Sequence, residues 1–360
     1  MKKIAVKSFG FDSLGREAFL FTLKNNHGLE LKVSNFGATI VSIMIPLKDG
    51  STRDIALGFD SVSGYENTGL YLGATIGRYA GQIRDGKFQL NGKEYRLYQN
   101  DHSNTLHGGE KGFDKRLFMP ILHQEENKID FYYFSPDGEE GFPGNLSVLS
   151  SYQLTEDDQI IMRHVAQCDK DTVLNMTNHT YYNLDGHNSG SIETQKLTIY
   201  AQNFLELAED CCPNGKIISV KNTPMDFSNG KKIGQDISSD YNQLKISEGY
   251  DHNWNIDGYH GDICKCAELI ASDGEIKMQM FSDLPGLQMY SGNYLNGSEM
   301  GKNGCFYRHR GALCLEPQFY PAAPNYEHFP TPVLPENKQY QHTIQLKFFY
   351  GFTDKETSQK

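Results

Sequence analysis

Apolar and polar positions alternate over short runs along most of this chain and seldom recur at the spacing of an amphipathic helix, the pattern of strands with one buried face. The runs are separated by Asp-Gly and Asn-Gly pairs, among them Asp49-Gly50, Asn91-Gly92, Asp137-Gly138, Asn214-Gly215 and Asp273-Gly274. Such pairs accept the positive φ of tight hairpin turns, so the strands they join run antiparallel. Lys87 to Leu97 is the clearest case, with Phe88 and Leu90 before Asn91-Gly92 and Tyr95 and Leu97 after it. Only Ser61 to Glu66 and Ile237 to Leu244 have a helical look, no Gly/Pro/Ser-rich linker divides the chain, and no internal repeat is visible. The pattern predicts an all-β protein: one large antiparallel β-sandwich with a few short helices, forming a single domain over residues 1–360.

Composition narrows the class. The chain has 360 residues, enough to bury a core without staples. Its 7 cysteines are odd in number, and neither Cys211-Cys212 nor Cys264-Lys265-Cys266 has the spacing of a zinc site, so they read as free thiols in a reducing compartment. Lys2 and Lys3 are followed by only three apolar residues before Lys7, too few for a secretory core, and no segment approaches a membrane span. A cytoplasmic protein is expected. The net charge of −11 opposes nucleic-acid binding and leaves a neutral small molecule or a protein as the partner.

Several segments carry candidate chemistry. In residues 173–184, parity sets Leu174, Met176, Tyr182 and Leu184 on one side and Asn175, Thr177, His179, Tyr181 and Asn183 on the other. As one strand, this projects His179 with the amides and hydroxyls, where it fits a solvent-facing histidine as well as a site residue. Glu316 ends an apolar run stopped by Pro317; a carboxylate there is either partly desolvated or simply pointing at water. His107 precedes Gly108-Gly109, which suit an ordinary turn or a close backbone approach to a ligand. Asp251-His252-Asn253-Trp254 reads as a loop, with Asp251 capping its own backbone and Trp254 either in the core or against a sugar ring. Zinc, nucleophile-elbow and dinucleotide signatures are missing, and the Gly-x-x-x-x-Gly-Lys frame at Gly81 fails because Phe88 stands where Ser or Thr must bind magnesium.

Taken together these segments resemble the galactose mutarotase (aldose 1-epimerase) family. The likeness runs through Asn104 to Phe113, Asn178 to Leu184, Gly249 to Asn253, Pro285 to Asn293 and Leu315 to Pro324. The resemblance implies a supersandwich with an open cleft in which His179 is the acid and Glu316 the base. It further implies that His107, Tyr181, Asp251 and Gln288 bind the substrate. One position departs from the family pattern: Gly77-Arg78-Tyr79-Ala80-Gly81-Gln82 ends in Gln82 where the family commonly has an arginine that reaches the sugar. Glutamine keeps donor and acceptor but loses the charge and the five-donor fork.

On this reading the protein interconverts the α and β anomers of hexoses such as galactose and glucose by acid-base ring opening and reclosure, with no metal or other cofactor. It would act on a small-molecule sugar, apart from nucleic acid and membrane, as a monomer or weak homodimer. Two other classes stay open at this point. A non-catalytic carbohydrate-binding or sensing protein is motivated by Gln82, and a glycosidase could use Glu316 and Asp251 as its carboxylate pair.

Overall fold

The protein is described from a computed structural model covering residues 4–351. Three antiparallel sheets, of five, nine and six strands, make up its body, with several two-stranded ribbons between them. The N-terminal segment folds in sequence order into the five-stranded sheet, from Ile4–Phe11 to Thr52–Asp54. Long-range pairing builds the nine-stranded sheet: the Gln339–Tyr350 strand lies between Gln159–Cys168 and Ile276–Ser282. The predicted hairpin is present as Lys87–Leu90 paired with Lys93–Arg96, and its turn has φ of +51 at Asn91 and +75 at Gly92. The two α-helices are Val62–Asn67 and Asn242–Ile246; the second starts later than the predicted Ile237, because residues 236–240 form turns.

One continuous core joins the three sheets. Leu31 and Ile43 come from the five-stranded sheet, Phe131, Met280 and Leu346 from the nine-stranded one, and Trp254, Leu287 and Leu315 from the six-stranded one. Each such side chain contributes roughly 1.5–3 kcal/mol through removal of apolar surface from water. Trp254 is wholly buried, with its Nε1 donating to the Met225 carbonyl at 3.1 Å, so it is a core residue and offers no face to a sugar.

The six-stranded sheet positions the site. Its order is Tyr181–Tyr182, Leu313–Gln318, Gly286–Tyr290, Asp251–Ile256, Ala201–Leu207 and Pro213–Ser219. Residues 251–256 are therefore strand, not the expected loop. Leu313 and Leu315 face the core with Leu287, Met289 and Trp254, which turns the alternate positions to the other side. The strand also continues through Pro317 to Gln318, past the end its proline suggested. The Tyr181–Tyr182 partner reaches only Cys314, so Pro317, which has no N–H, lies in a stretch paired to a strand on one side only. The Asn175 side chain takes over beyond it, accepting from Phe319 N and donating to Phe319 O.

Candidate active site

Cross-strand register writes a polar grid on the outer face of this sheet. Asp251 stands opposite Tyr290 and Tyr290 opposite Cys314; Asn253 stands opposite Gln288 and Gln288 opposite Glu316. Tyr181 pairs with Cys314 in the last strand, and the same antiparallel register carried two residues on sets His179 across from Glu316. The structure thereby brings His179 Nε2 within 3.6 Å of Glu316 Oε1.

The segment that carries His179 differs from its expected form. It is not one strand but three two-residue ones, Thr172–Val173, Thr177–Asn178 and Tyr181–Tyr182, and all of residues 172–184 are buried. The polar parity set is thus not a solvated face. Asn175 and Asn183 spend their side chains on backbone groups, Asn175 on Ala80 O and Phe319 O, Asn183 on Gly190 O and Gly311 O. His179 and Tyr181 are left to face the cleft.

His179, Glu316, Gln82, His107, Tyr181, Asp251 and Gln288 all line one open cleft. Tyr71, Tyr290 and Gln318 also line it and were not singled out by the sequence. The His179 ring lies between two tyrosines, stacked on Tyr181 at 5.1 Å and on Tyr71 at 5.8 Å between centroids. Desolvation in that setting pushes the imidazole down to about 4. Burial raises the Glu316 carboxyl well above its ordinary range, and the Asp251 charge adds to the rise. Each charge alone is disfavoured in this setting, so the two groups are arranged to hold one proton between them.

His107 occupies a left-handed backbone conformation, φ +52, and its Nδ1 accepts the Gly81 N–H at 3.1 Å. Burial, with His179 beside it, holds this imidazole well below 6.5, so the neutral ring keeps its proton on Nε2. His107, His179 and Glu316 offer ligand atoms within 4.8 Å of one another, as a metal site would. With one His107 nitrogen engaged by Gly81 and the other protonated, that ring is a hydrogen-bond donor to the cleft and has no lone pair to lend a cation. Gly108 serves the backbone rather than a ligand: φ is +93, and a Cβ there would overlap the Gly77 carbonyl oxygen.

Asp251 accepts from Gln288 Nε2 at 2.7 Å, which orients both. Its carboxyl is pushed up to about 7, chiefly by burial. Among the described residues no Lys or Arg lines the cleft. Arg78 is pinned elsewhere, its Nε donating to Ser135 Oγ and its Nη atoms to the carbonyls of Ser135, Pro136, Pro143 and Gly144. Gln82 stands at the cleft wall with Asp101 nearby.

An all-β sandwich with a buried imidazole and carboxylate side by side in an open cleft presents a pair suited to acid-base chemistry. The sequence pattern described as Aldose 1-epimerase matches residues 20–347, and the chain belongs to that family. It is 37% identical over 320 residues to a galactose mutarotase from Bos taurus, covering 89% of this chain and 91% of that one. It is 36% identical over 318 residues to an aldose 1-epimerase from Escherichia coli strain K12, covering 88% and 91%. Among solved structures it superposes on an aldose epimerase homologue from C. elegans with a TM-score of 0.86, at 29% identity and over 93% of this chain and all of that one. A galactose 1-epimerase from Lactobacillus acidophilus NCFM gives 0.85 at 28% identity, over 98% of this chain and all of that one.

Proposed function

We propose that this protein is an aldose 1-epimerase, an isomerase that interconverts the α and β anomers of free hexoses such as galactose and glucose, with Glu316 as base and His179 as acid. The observation that carries the reading is the 3.6 Å approach of His179 Nε2 to Glu316 Oε1 in a cleft that also holds the polar side chains of Gln82, His107, Tyr181, Asp251 and Gln288. O1 and O5 of a pyranose are both bonded to C1, so two groups this close can each reach one of them.

The reaction follows from one proton moving around that pair. Burial leaves the resting proton on Glu316; its transfer to His179 makes the reactive form, in which the opposite charges support each other where water is excluded. Glu316 takes the proton of the C1 hydroxyl as His179 delivers its own to O5, and the ring opens to the aldehyde. Rotation about C1–C2 presents the other carbonyl face, and the same residues in exchanged roles close the ring. Each positioned proton transfer supplies about 10² to 10⁴ in rate. His107, Tyr181, Asp251, Gln288 and Gln82 hold the remaining hydroxyls while C1 turns.

Polarimetry on freshly dissolved α-galactose and α-glucose tests the assignment. Wild type speeds the approach to anomeric equilibrium, and His179→Ala and Glu316→Ala each lose about 10²-fold or more. Near-wild-type rates in either variant refute the assignment. Because one proton must remain on the pair, the rate falls both at acid pH, where both groups are protonated, and at alkaline pH, where neither is. Calorimetric sugar binding without mutarotation would instead indicate a carbohydrate-binding protein.

A cytoplasmic monomer or weak homodimer fits this role. In support, all 7 cysteines are free, and no described helix is long and apolar enough to cross a membrane.

A further inference from the structure

We infer that Gln318 is a further sugar-gripping residue, its side-chain amide taking two neighbouring hydroxyls on the side of Glu316 away from Asp251. This rests on the reading of the cleft as a sugar site. Gln318 lines the cleft yet is only 1% exposed, and neither its Nε2 nor its Oε1 has a partner among the described residues.

Its place in the grid explains both facts. Two residues beyond Glu316 on one strand, it projects from the same face. Its cross-strand neighbour Gly286 has no side chain to bind the amide, and the Asn253 side chain and the Tyr320 ring lie over that glycine. On the other side a Cβ built on Gly81 would stand 3.3 Å from Gln318 Nε2, so the backbone there also comes close without offering a side chain. The amide therefore sits in the cleft wall beside Gly81 and Gly286, among Asn253, Tyr320 and Pro321 but hydrogen-bonded to none of them.

A buried donor and acceptor left unpaired cost free energy that a ligand can return. Adjacent hydroxyls of a pyranose, one accepting from Nε2 and one donating to Oε1, match the two ends of a carboxamide. Gln288 is already half engaged, its Nε2 on Asp251 and only its Oε1 unpaired, so the two glutamines play different parts. Gln288 braces the Asp251 side of the sugar, and Gln318 holds the side where this chain has Gln82 in place of the family's arginine.

The test is Gln318→Met, close in length and apolar, with galactose binding by calorimetry, mutarotation by polarimetry and melting temperature measured together. Galactose affinity is expected to fall about 10-fold or more, the loss of two hydrogen bonds. KM rises in step, kcat stays within a few-fold, and the melting temperature holds or rises because an unpaired amide has left the interior. A melting temperature that drops while affinity is unchanged overturns the proposal.

A panel of monodeoxygalactoses then locates the grip. In wild type each missing hydroxyl carries a penalty; in Gln318→Met the penalty vanishes for two adjacent positions and persists for the others. Identical penalties in both proteins overturn the proposal. Calorimetry reads binding without turnover, so a wild type that binds galactose but leaves its anomers alone refutes the reaction while this panel still decides the role of Gln318. A wild type that does not bind galactose refutes the grip itself.

Discussion

Asp251 shows how a single side chain can be placed at the expense of the fold. Its ordinary carboxyl value is 3.8 and in the folded chain it is pushed up to about 7, by burial first and the Asp101 charge besides, against the pull of the Gln288 N–H. Between those two values the native state binds the proton more tightly than the unfolded chain. The sign follows: the penalty is fully present above about pH 7 and disappears as the pH falls through the native value toward 3.8. Asp251→Asn keeps an oxygen for Gln288, so thermal melting is expected to rise by several degrees at pH 8, with the gain shrinking toward pH 4, while galactose binding weakens. An unchanged melting temperature at pH 8 would mean that the buried charge costs the fold nothing. Residues with distinctive chemistry, such as His179, Glu316, His107 and Asp251, were legible in the sequence as candidates. Gln318 was not, because a proline reads as the end of a strand and the parity that carries Glu316 then stops one residue short of it. Tyr71 and Tyr290 were hidden for a different reason: among 21 tyrosines nothing local distinguishes the ones that reach a cleft.

At the scale of elements, the site depends on register and on two turns of backbone that cross closely. Gly108 lies against Gly77 directly after His107, with φ +93 and no room for a Cβ. Gly108→Ala should therefore lower the unfolding free energy by more than about 1 kcal/mol in chemical denaturation and displace His107, so that mutarotation falls as well. Gly92→Ala is the control: it shares a positive φ, +75, but nothing lies within 4 Å of its Cβ position, so it meets only the backbone cost and leaves the rate alone. Equal effects of the two substitutions would show that the crossing has no bearing on the site. Alternation and turn dipeptides made most strands readable, the Asn91-Gly92 hairpin above all. Residues 172–184 misled because their amides Asn175 and Asn183 are satisfied by distant backbone, as Asn183 is by Gly311, and a local pattern cannot distinguish a buried, paired amide from one facing water.

For the molecule as a whole, the sandwich was legible in the periodicity of the chain, but its division into sheets of five, nine and six strands was not. Pairing of Gln339–Tyr350 with Gln159–Cys168 and Ile276–Ser282 joins segments far apart in sequence, which no short-range signal reports. The same non-local pairing assembles the chemistry, since the register that seats Tyr181 on Cys314 also draws an imidazole and a carboxyl together from opposite halves of the chain. Residues 188–191 form an exposed stretch between those halves. Expressed as two polypeptides, 1–189 and 190–360, the protein would have His179, the proposed proton donor, on one piece and Glu316, the proposed acceptor, on the other. Each piece alone should be inert toward galactose, and turnover on mixing would report nothing but their reunion, making the enzyme a natural split reporter of its own assembly.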